Sequence, residues 1–146
     1  MLSNSKISKI FGEFQENLNP DFMKFKNWGY KYIVHDSPSC QIHLCGIKKG
    51  GYSSWHYHNH RFNRFIVLEG KLQIIIKPKC DVDLLRKSVY LIGDKQDTRK
   101  FDIKPGVVHK FQALTNVQLL EVYYTVCSDK DIIRQDKGGV NYEKSV

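Results

Sequence analysis

Three histidines decide what chemistry this chain can do. His56 and His58 stand one residue apart in Trp55-His56-Tyr57-His58, and His109 follows a Pro105-Gly106 turn much later in the chain. Side chains alternate faces along a strand, so residues one apart project from the same side. Neutral imidazole suits Zn, Ni, Cu and Fe, and Mn once oxygen ligands join it. Three such rings, completed by water, would hold a divalent ion (Zn, Mn, Fe or Ni) and leave an open coordination position for a substrate. The alternative is a polar pocket lined by the same rings.

Other residues could serve such a centre. His60 and Arg61 follow the pair directly; if Asn59 to Phe62 turns the chain, they reach the pocket rim as contacts for a substrate phosphate or hydroxyl, or else stand as exposed turn residues. Arg134, in Asp131-Ile132-Ile133-Arg134, is a further phosphate clamp, or pairs with Asp131 or Asp136. Glu121 lies in the apolar run Leu119 to Tyr124, where a carboxylate is costly unless paired or facing a pocket. It is a candidate catalytic base with a pKa raised by burial, or one half of an ion pair on the barrel exterior. His35 and His43 lack partners at useful spacing and read as surface or satisfied histidines.

These residues need strands to position them, and the chain supplies many. Tyr30 to Val34, Gln41 to Ile47, Ser53 to His58, Arg64 to Glu69, Lys71 to Lys77, Ser88 to Ile92, Arg99 to Ile103, His109 to Ala113 and Val117 to Thr125 all read as short β segments. Turn signals at Lys49-Gly50-Gly51, Glu69-Gly70, Lys77-Pro78, Gly93-Asp94 and Lys104-Pro105-Gly106 separate them. Short strands at this spacing predict a sandwich or barrel. Ile7, Ile10, Phe11 and Phe14 fall at helical spacing and predict a short amphipathic helix over Ser5 to Asn17, ended by Asn19-Pro20. The expected organisation is an N-terminal helical extension over 1–25, a barrel over 26–136 and a polar tail over 137–146.

The 146 residues suit one domain, and 41% apolar with 26% charged residues is ordinary for a globular protein. The net charge of +8 favours anionic partners, but the lysines are spread along the chain without a basic cluster or a nucleic-acid motif. The expected partner is a small molecule rather than nucleic acid or a membrane. No apolar segment of spanning length and no signal peptide is seen, which makes the cytoplasm the default location. The four cysteines, irregularly spaced, are expected as free thiols.

The spacing of Gly50, His56, His58, Asn63 and Gly70 resembles the first motif of the cupin superfamily, and Pro105-Gly106-Val107-Val108-His109 resembles the second. The resemblance runs from about Asn27 to Arg134 and implies an all-β, cupin-type antiparallel β-barrel (jelly roll), with His56, His58 and His109 as metal ligands and a homodimer. Asn63 stands where that motif has a glutamate, which makes its neutral and weaker amide oxygen a fourth candidate metal ligand, and the second motif is one residue tighter than usual. Asn27-Trp28-Gly29-Tyr30, His58-Asn59-His60-Arg61, Leu119-Leu120-Glu121-Val122 and Asp131 to Arg134 are similar to type II mannose-6-phosphate isomerases. That implies a metal-dependent sugar or sugar-phosphate isomerase or epimerase, in which His60, Arg61 and Arg134 would meet the phosphate. A non-catalytic cupin binding a small ligand, which the loss of the glutamate favours, and a metal-dependent dioxygenase are the alternatives.

Overall fold

The computed structural model describes residues 19–78, 87–125 and 130–142. The helix expected over Ser5 to Asn17, and Cys80 and Cys127, lie outside them. Among the described residues Cys40 and Cys45 are free thiols, and no helix is long and apolar enough to cross a membrane.

All strand pairings are antiparallel and form two sheets. The first has the order β1 (Met23–Lys26), β2 (Gly29–Ser37), β3 (Cys40–Ile47), β11 (Val117–Tyr124), β6 (Phe62–Glu69), β9 (Lys100–Ile103). The second centres on β10 (Val108–Ala113). Along one edge of β10 run β4 (Gly51–Tyr52) and β5 (His56–Tyr57); along the other runs β7 (Lys71–Lys77), followed by β8 (Ser88–Gly93). Two short strands, β12 (Ile133–Arg134) and β13 (Gly139–Val140), close on β5 and β4.

Three details depart from expectation. The segment expected as strand from Ser53 to His58 is broken: Ser53 N–H still donates to Phe111 O on β10, but residues 54–55 leave that strand before His56 pairs opposite His109. Met23–Lys26 pairs with β2 although it falls largely in the expected helical extension; the Asn27-Trp28 turn folds it back as a hairpin. Gly139–Val140, in the expected tail, pairs with β4 because the close approach there leaves room for glycine, not for a side chain.

Strand alternation divides the interior into two halves. Along β6 the buried residues are Asn63, Phe65 and Val67; along β11 they are Val117, Leu119, Glu121 and Tyr123. On β10 they include His109, Phe111 and Ala113, and on β3 Gln41, His43, Cys45 and Ile47. Each row is apolar at one end and polar at the other. Antiparallel pairing brings like ends together, so Trp28, Ile47, Phe65, Val67, Leu72, Ile74, Ile103, Phe111 and Leu119 form a dry core at one end. The histidines and their polar neighbours occupy the other. Gly50 (φ +80°) and Gly70 (φ +87°) hold turns in the left-handed region where a Cβ would lie 2.1 Å from the carbonyl oxygens of Asn141 and Asn116. Both motif glycines therefore have a backbone reason for their identity.

Candidate metal centre

His56 on β5 lies directly opposite His109 on β10, and their ring centroids are 4.3 Å apart. His58, just past the end of β5, completes the group at 5.2 Å from His56 and 5.6 Å from His109. One ligand nitrogen from each ring lies within 4.8 Å of the others, and all three residues are buried. This is the cluster expected from the sequence, and among the described residues it is the grouping able to hold a metal ion.

The hydrogen bonds fix which nitrogen faces inward. Nδ1 of His56, His58 and His109 meets the backbone carbonyls of Ser54 (2.8 Å), Asp131 (2.6 Å) and Val107 (2.9 Å). A carbonyl only accepts, so each Nδ1 carries the proton and each Nε2 carries a lone pair. The Arg61 Nε–H also approaches His58 Nδ1, at 3.2 Å. The nitrogen cannot donate to one and accept from the other; the shorter carbonyl contact wins, and Arg61 remains as an adjacent positive charge. Burial, with the Arg61 charge adding to it, lowers His58 to about 4 despite the bond to Asp131. Burial likewise lowers His109 to about 4, and burial with neighbouring His109 pushes His56 well below its usual value. The rings stay neutral at neutral pH, the form that ligates.

Nε2 of His58, Nε2 of His109 and Oδ1 of Asn63 are buried without a hydrogen-bond partner. Leaving such atoms unsatisfied costs about 1–3 kcal/mol each. The two imidazole nitrogens belong to the three-histidine group, and lone pairs left open there fit a divalent cation.

Asp131 holds the second histidine in place. Its carboxylate accepts the backbone N–H groups of Asn59 (2.8 Å), His60 (3.1 Å) and Arg61 (3.1 Å), while its own carbonyl takes the His58 proton. Burial alone would raise its pKa, but those three donors hold it below the usual carboxylate range. On the other side, Gly106 N–H donates to His58 O at 2.6 Å and so ties the Pro-Gly turn before His109 to the His58 loop. Replacing Asp131 by alanine should lower unfolding stability by about 2–3 kcal/mol, since several charge-assisted bonds are lost. It should also weaken zinc binding roughly tenfold, because the loop that carries His58 loses its three anchors while the backbone carbonyl that takes the His58 proton stays. Chelator competition and urea unfolding on the same variant check both; unchanged zinc affinity would remove Asp131 from this role.

The remaining candidates divide. Glu121 is buried and faces the cavity, but not as a base of raised pKa. Its Oε2 lies 2.5 Å from Lys31 Nζ, and its Oε1 accepts from Tyr123 OH (2.7 Å) and Asn63 Nδ2 (3.2 Å). Burial would raise the carboxyl, but Lys31, His43 and these hydrogen bonds hold it well below the usual range. The ion pair weighed as the alternative exists, inside the barrel rather than on its exterior. Arg61 is not at a rim: it is 4% exposed, lies 3.8 Å over the Tyr123 ring and reaches Gln41 Oε1 at 3.4 Å. It belongs to the same inward row as Asn63 and Phe65. His60 is exposed in the turn and is not among the residues lining the cavity beside His56. Arg134 does line it, and donates to Ser54 Oγ at 3.0 Å; the carboxylates of Asp131 and Asp136 are taken by backbone N–H groups. That cavity, about 350 Å³, is bounded by His56, Glu121, Tyr123, Trp28, Ser53 and Ser54, with Lys26, Lys31, Arg134 and Lys137 supplying positive charge.

Lys31, Tyr123 and Asp131 escaped the sequence reading as site residues. Lys31 meets Glu121 only because β2 and β11 flank β3. His43, expected as surface or satisfied, is buried against Tyr123 (5.6 Å) with Nδ1 unpartnered.

Comparison of the sequence with family models and with curated proteins finds no match. Solved structures do match. Oxalate decarboxylase from Bacillus subtilis superposes with a TM-score of 0.64 at 16% identity, over 82% of this chain and 30% of that one. The formate complex of Lactobacillus farciminis oxalate decarboxylase gives 0.62 at 16%, over 82% and 34%. The capsular polysaccharide assembling protein CapF from Staphylococcus aureus gives 0.62 at 18%, over 77% and 31%. The chain spans about a third of the length of these proteins. At such identities the fold is what is shared: the chain folds as a cupin-type antiparallel barrel that gathers three buried histidines able to hold a metal ion.

Proposed function

We propose that His56, His58 and His109 bind a divalent metal ion and that the adjoining cationic cavity presents it to a small anionic, sugar-like molecule, as in a sugar or sugar-phosphate isomerase or epimerase. The observation that carries this is the grouping of three neutral imidazoles, one of which, His56, lines a cavity also edged by Lys26, Lys31, Arg134 and Lys137. The manganese(II) centres of Bacillus subtilis oxalate decarboxylase and the capsular polysaccharide role of CapF support a metal and a sugar-related ligand respectively. His56, His58 and His109 would hold the metal, which when bound would supply Lewis-acid polarisation of substrate oxygens. Arg134 and Lys137 would take the phosphate, and Ser53, Ser54 and Tyr123 offer hydroxyls to the sugar. The core and the strand walls keep bulk water from the histidine end.

A second reading, ligand binding without turnover, is favoured by Glu121. A carboxylate held ionised by Lys31 and Tyr123 is a weak proton acceptor. One experiment separates the two. In deuterated water, the metal-loaded protein as an isomerase exchanges a carbon-bound proton of an aldose or ketose phosphate, read by NMR. Binding of the same phosphate by calorimetry without exchange selects the second reading. Absence of both binding and exchange across hexose and pentose phosphates rejects the anionic sugar ligand. In either case Arg134→Ala is expected to weaken phosphate binding about tenfold, the effect of losing one charged hydrogen-bond donor.

A further inference from the structure

Asn63 stands where the resembled motif carries a charged ligand, and its surroundings show how an amide can serve there. The residue is fully buried. Its Nδ2 donates to Glu121 Oε1 at 3.2 Å, and its Oδ1 has no partner. An ionised carboxylate can only accept, so Glu121 selects the nitrogen end of the amide and turns the oxygen end away from itself. The neighbours of Asn63 belong to the histidine cluster. Tyr123, its cross-strand partner, packs on His58 at 5.4 Å, and Phe65, next on the same face of β6, packs on His109 at 6.4 Å.

Glu121 is itself held from behind. Lys31 Nζ engages Oε2, and Tyr123 OH donates to Oε1. Lys31 is half-buried; desolvation would lower it, but Glu121 keeps it protonated. The chain thus spends an ion pair to present one amide in one orientation.

We propose that Glu121 is a positioning residue that fixes Asn63 Oδ1 as the fourth protein ligand of the ion held by His56, His58 and His109. This rests on the three-histidine reading of the site. The ligand set is then wholly neutral. The ion keeps its full charge toward an incoming anion, because the nearby carboxylate is already neutralised by Lys31.

The test uses cobalt(II), whose visible absorption reports its ligands, with affinities from chelator competition and folding checked by circular dichroism. Asn63→Ala is expected to bind cobalt 10–100-fold more weakly, with a changed visible spectrum. The double replacement Lys31→Met with Glu121→Leu removes the ion pair without leaving one buried charge, and is expected to weaken binding about tenfold. Placed in the Asn63→Ala background, the same double replacement should cost less than about threefold more, since Glu121 acts through an amide no longer present. Additive losses would overturn the proposal by giving Glu121 an independent role. Should the double replacement fail to fold, Glu121→Gln decides: its amide N–H can donate to the oxygen of a flipped Asn63, so a changed cobalt spectrum supports the proposal and a wild-type spectrum overturns it. His109→Ala is the control for the underlying reading. If His109→Ala loses cobalt while Asn63→Ala keeps wild-type affinity and spectrum, only the fourth-ligand assignment fails. If His109→Ala also keeps cobalt, the three-histidine centre fails first.

Discussion

His109→Leu is expected to abolish metal binding and, in the metal-free protein, to raise the melting temperature. The ring is wholly buried between His56 and Phe65, and its Nε2 has no partner. In the metal-free state that lone pair costs about 1–3 kcal/mol of lost solvation. Leucine is of similar size and carries no polar atom. It gives up the bond to the Val107 carbonyl, but Val107 is only half-buried and its carbonyl can turn to water. A net gain of about 1 kcal/mol, or about 3 °C for a domain of this size, follows. With metal the order reverses. At a thousandfold excess of metal over its dissociation constant the wild type gains about 4 kcal/mol, while the variant, left with two rings, gains little. Melting curves with and without zinc read both effects. A variant that melts lower than wild type without metal would mean that the ring's contacts outweigh its unsatisfied nitrogen, and the site would not be a polar cavity kept for a cation.

The histidine end of the barrel was legible because it depends on a short-range rule. A period of two aims His56 and His58 together, and a turn signal before His109 marks the start of a separate strand. The same rule, pursued further, reaches residues that were misjudged. Arg61, Asn63, Phe65 and Val67 form one alternating row, as do Val117, Leu119, Glu121 and Tyr123, and both rows are buried. Reading Arg61 as a turn residue separated it from its row and placed it at the rim.

What could not be read is set by register and by backbone contacts. Lys31 and Glu121 meet because two strands separated in sequence flank a third, and no local pattern carries that information. Asp131 acts on the N–H groups of residues 59–61, which every residue but proline possesses, so its partners leave no trace in side-chain identity. Its importance appears only once the loop and the segment before β12 are seen side by side. The dry half of the barrel was simpler: apolar residues at alternate positions name the core whatever the register.

Stability of the metal-free protein is expected to fall steeply as pH drops from about 6.5 to 4. His43, His58 and His109 are each lowered to about 4 by burial, and His56 lies well below its usual value. In the unfolded chain all four titrate near 6.5. Between those values the unfolded chain binds protons that the folded one refuses, so the equilibrium moves toward unfolding as pH falls. Each ring contributes up to about 1.4 kcal/mol per pH unit, and four together up to about 5. A domain stable by about 5–15 kcal/mol would lose most of that before pH 4. The carboxylates add a later loss of the same sign: Asp131 and Glu121, held below their ordinary values, give up their stabilisation only as pH falls below about 4. Urea unfolding at pH 7, 6 and 5 with metal removed gives the slope directly. His43 separates burial from ligation, because it is buried against Tyr123 but stands outside the three-histidine group. His43→Phe should remove about a quarter of the slope and change zinc affinity by less than about threefold, since His43 reaches His58 through Tyr123 rather than by ligation. Zinc should move acid unfolding of both proteins to lower pH, since protons must then displace a bound cation from the rings as well. A stability that stays flat down to pH 5 would show that the four rings are hydrated in solution, and the dry polar end of the barrel, with the metal site built in it, would have to be abandoned.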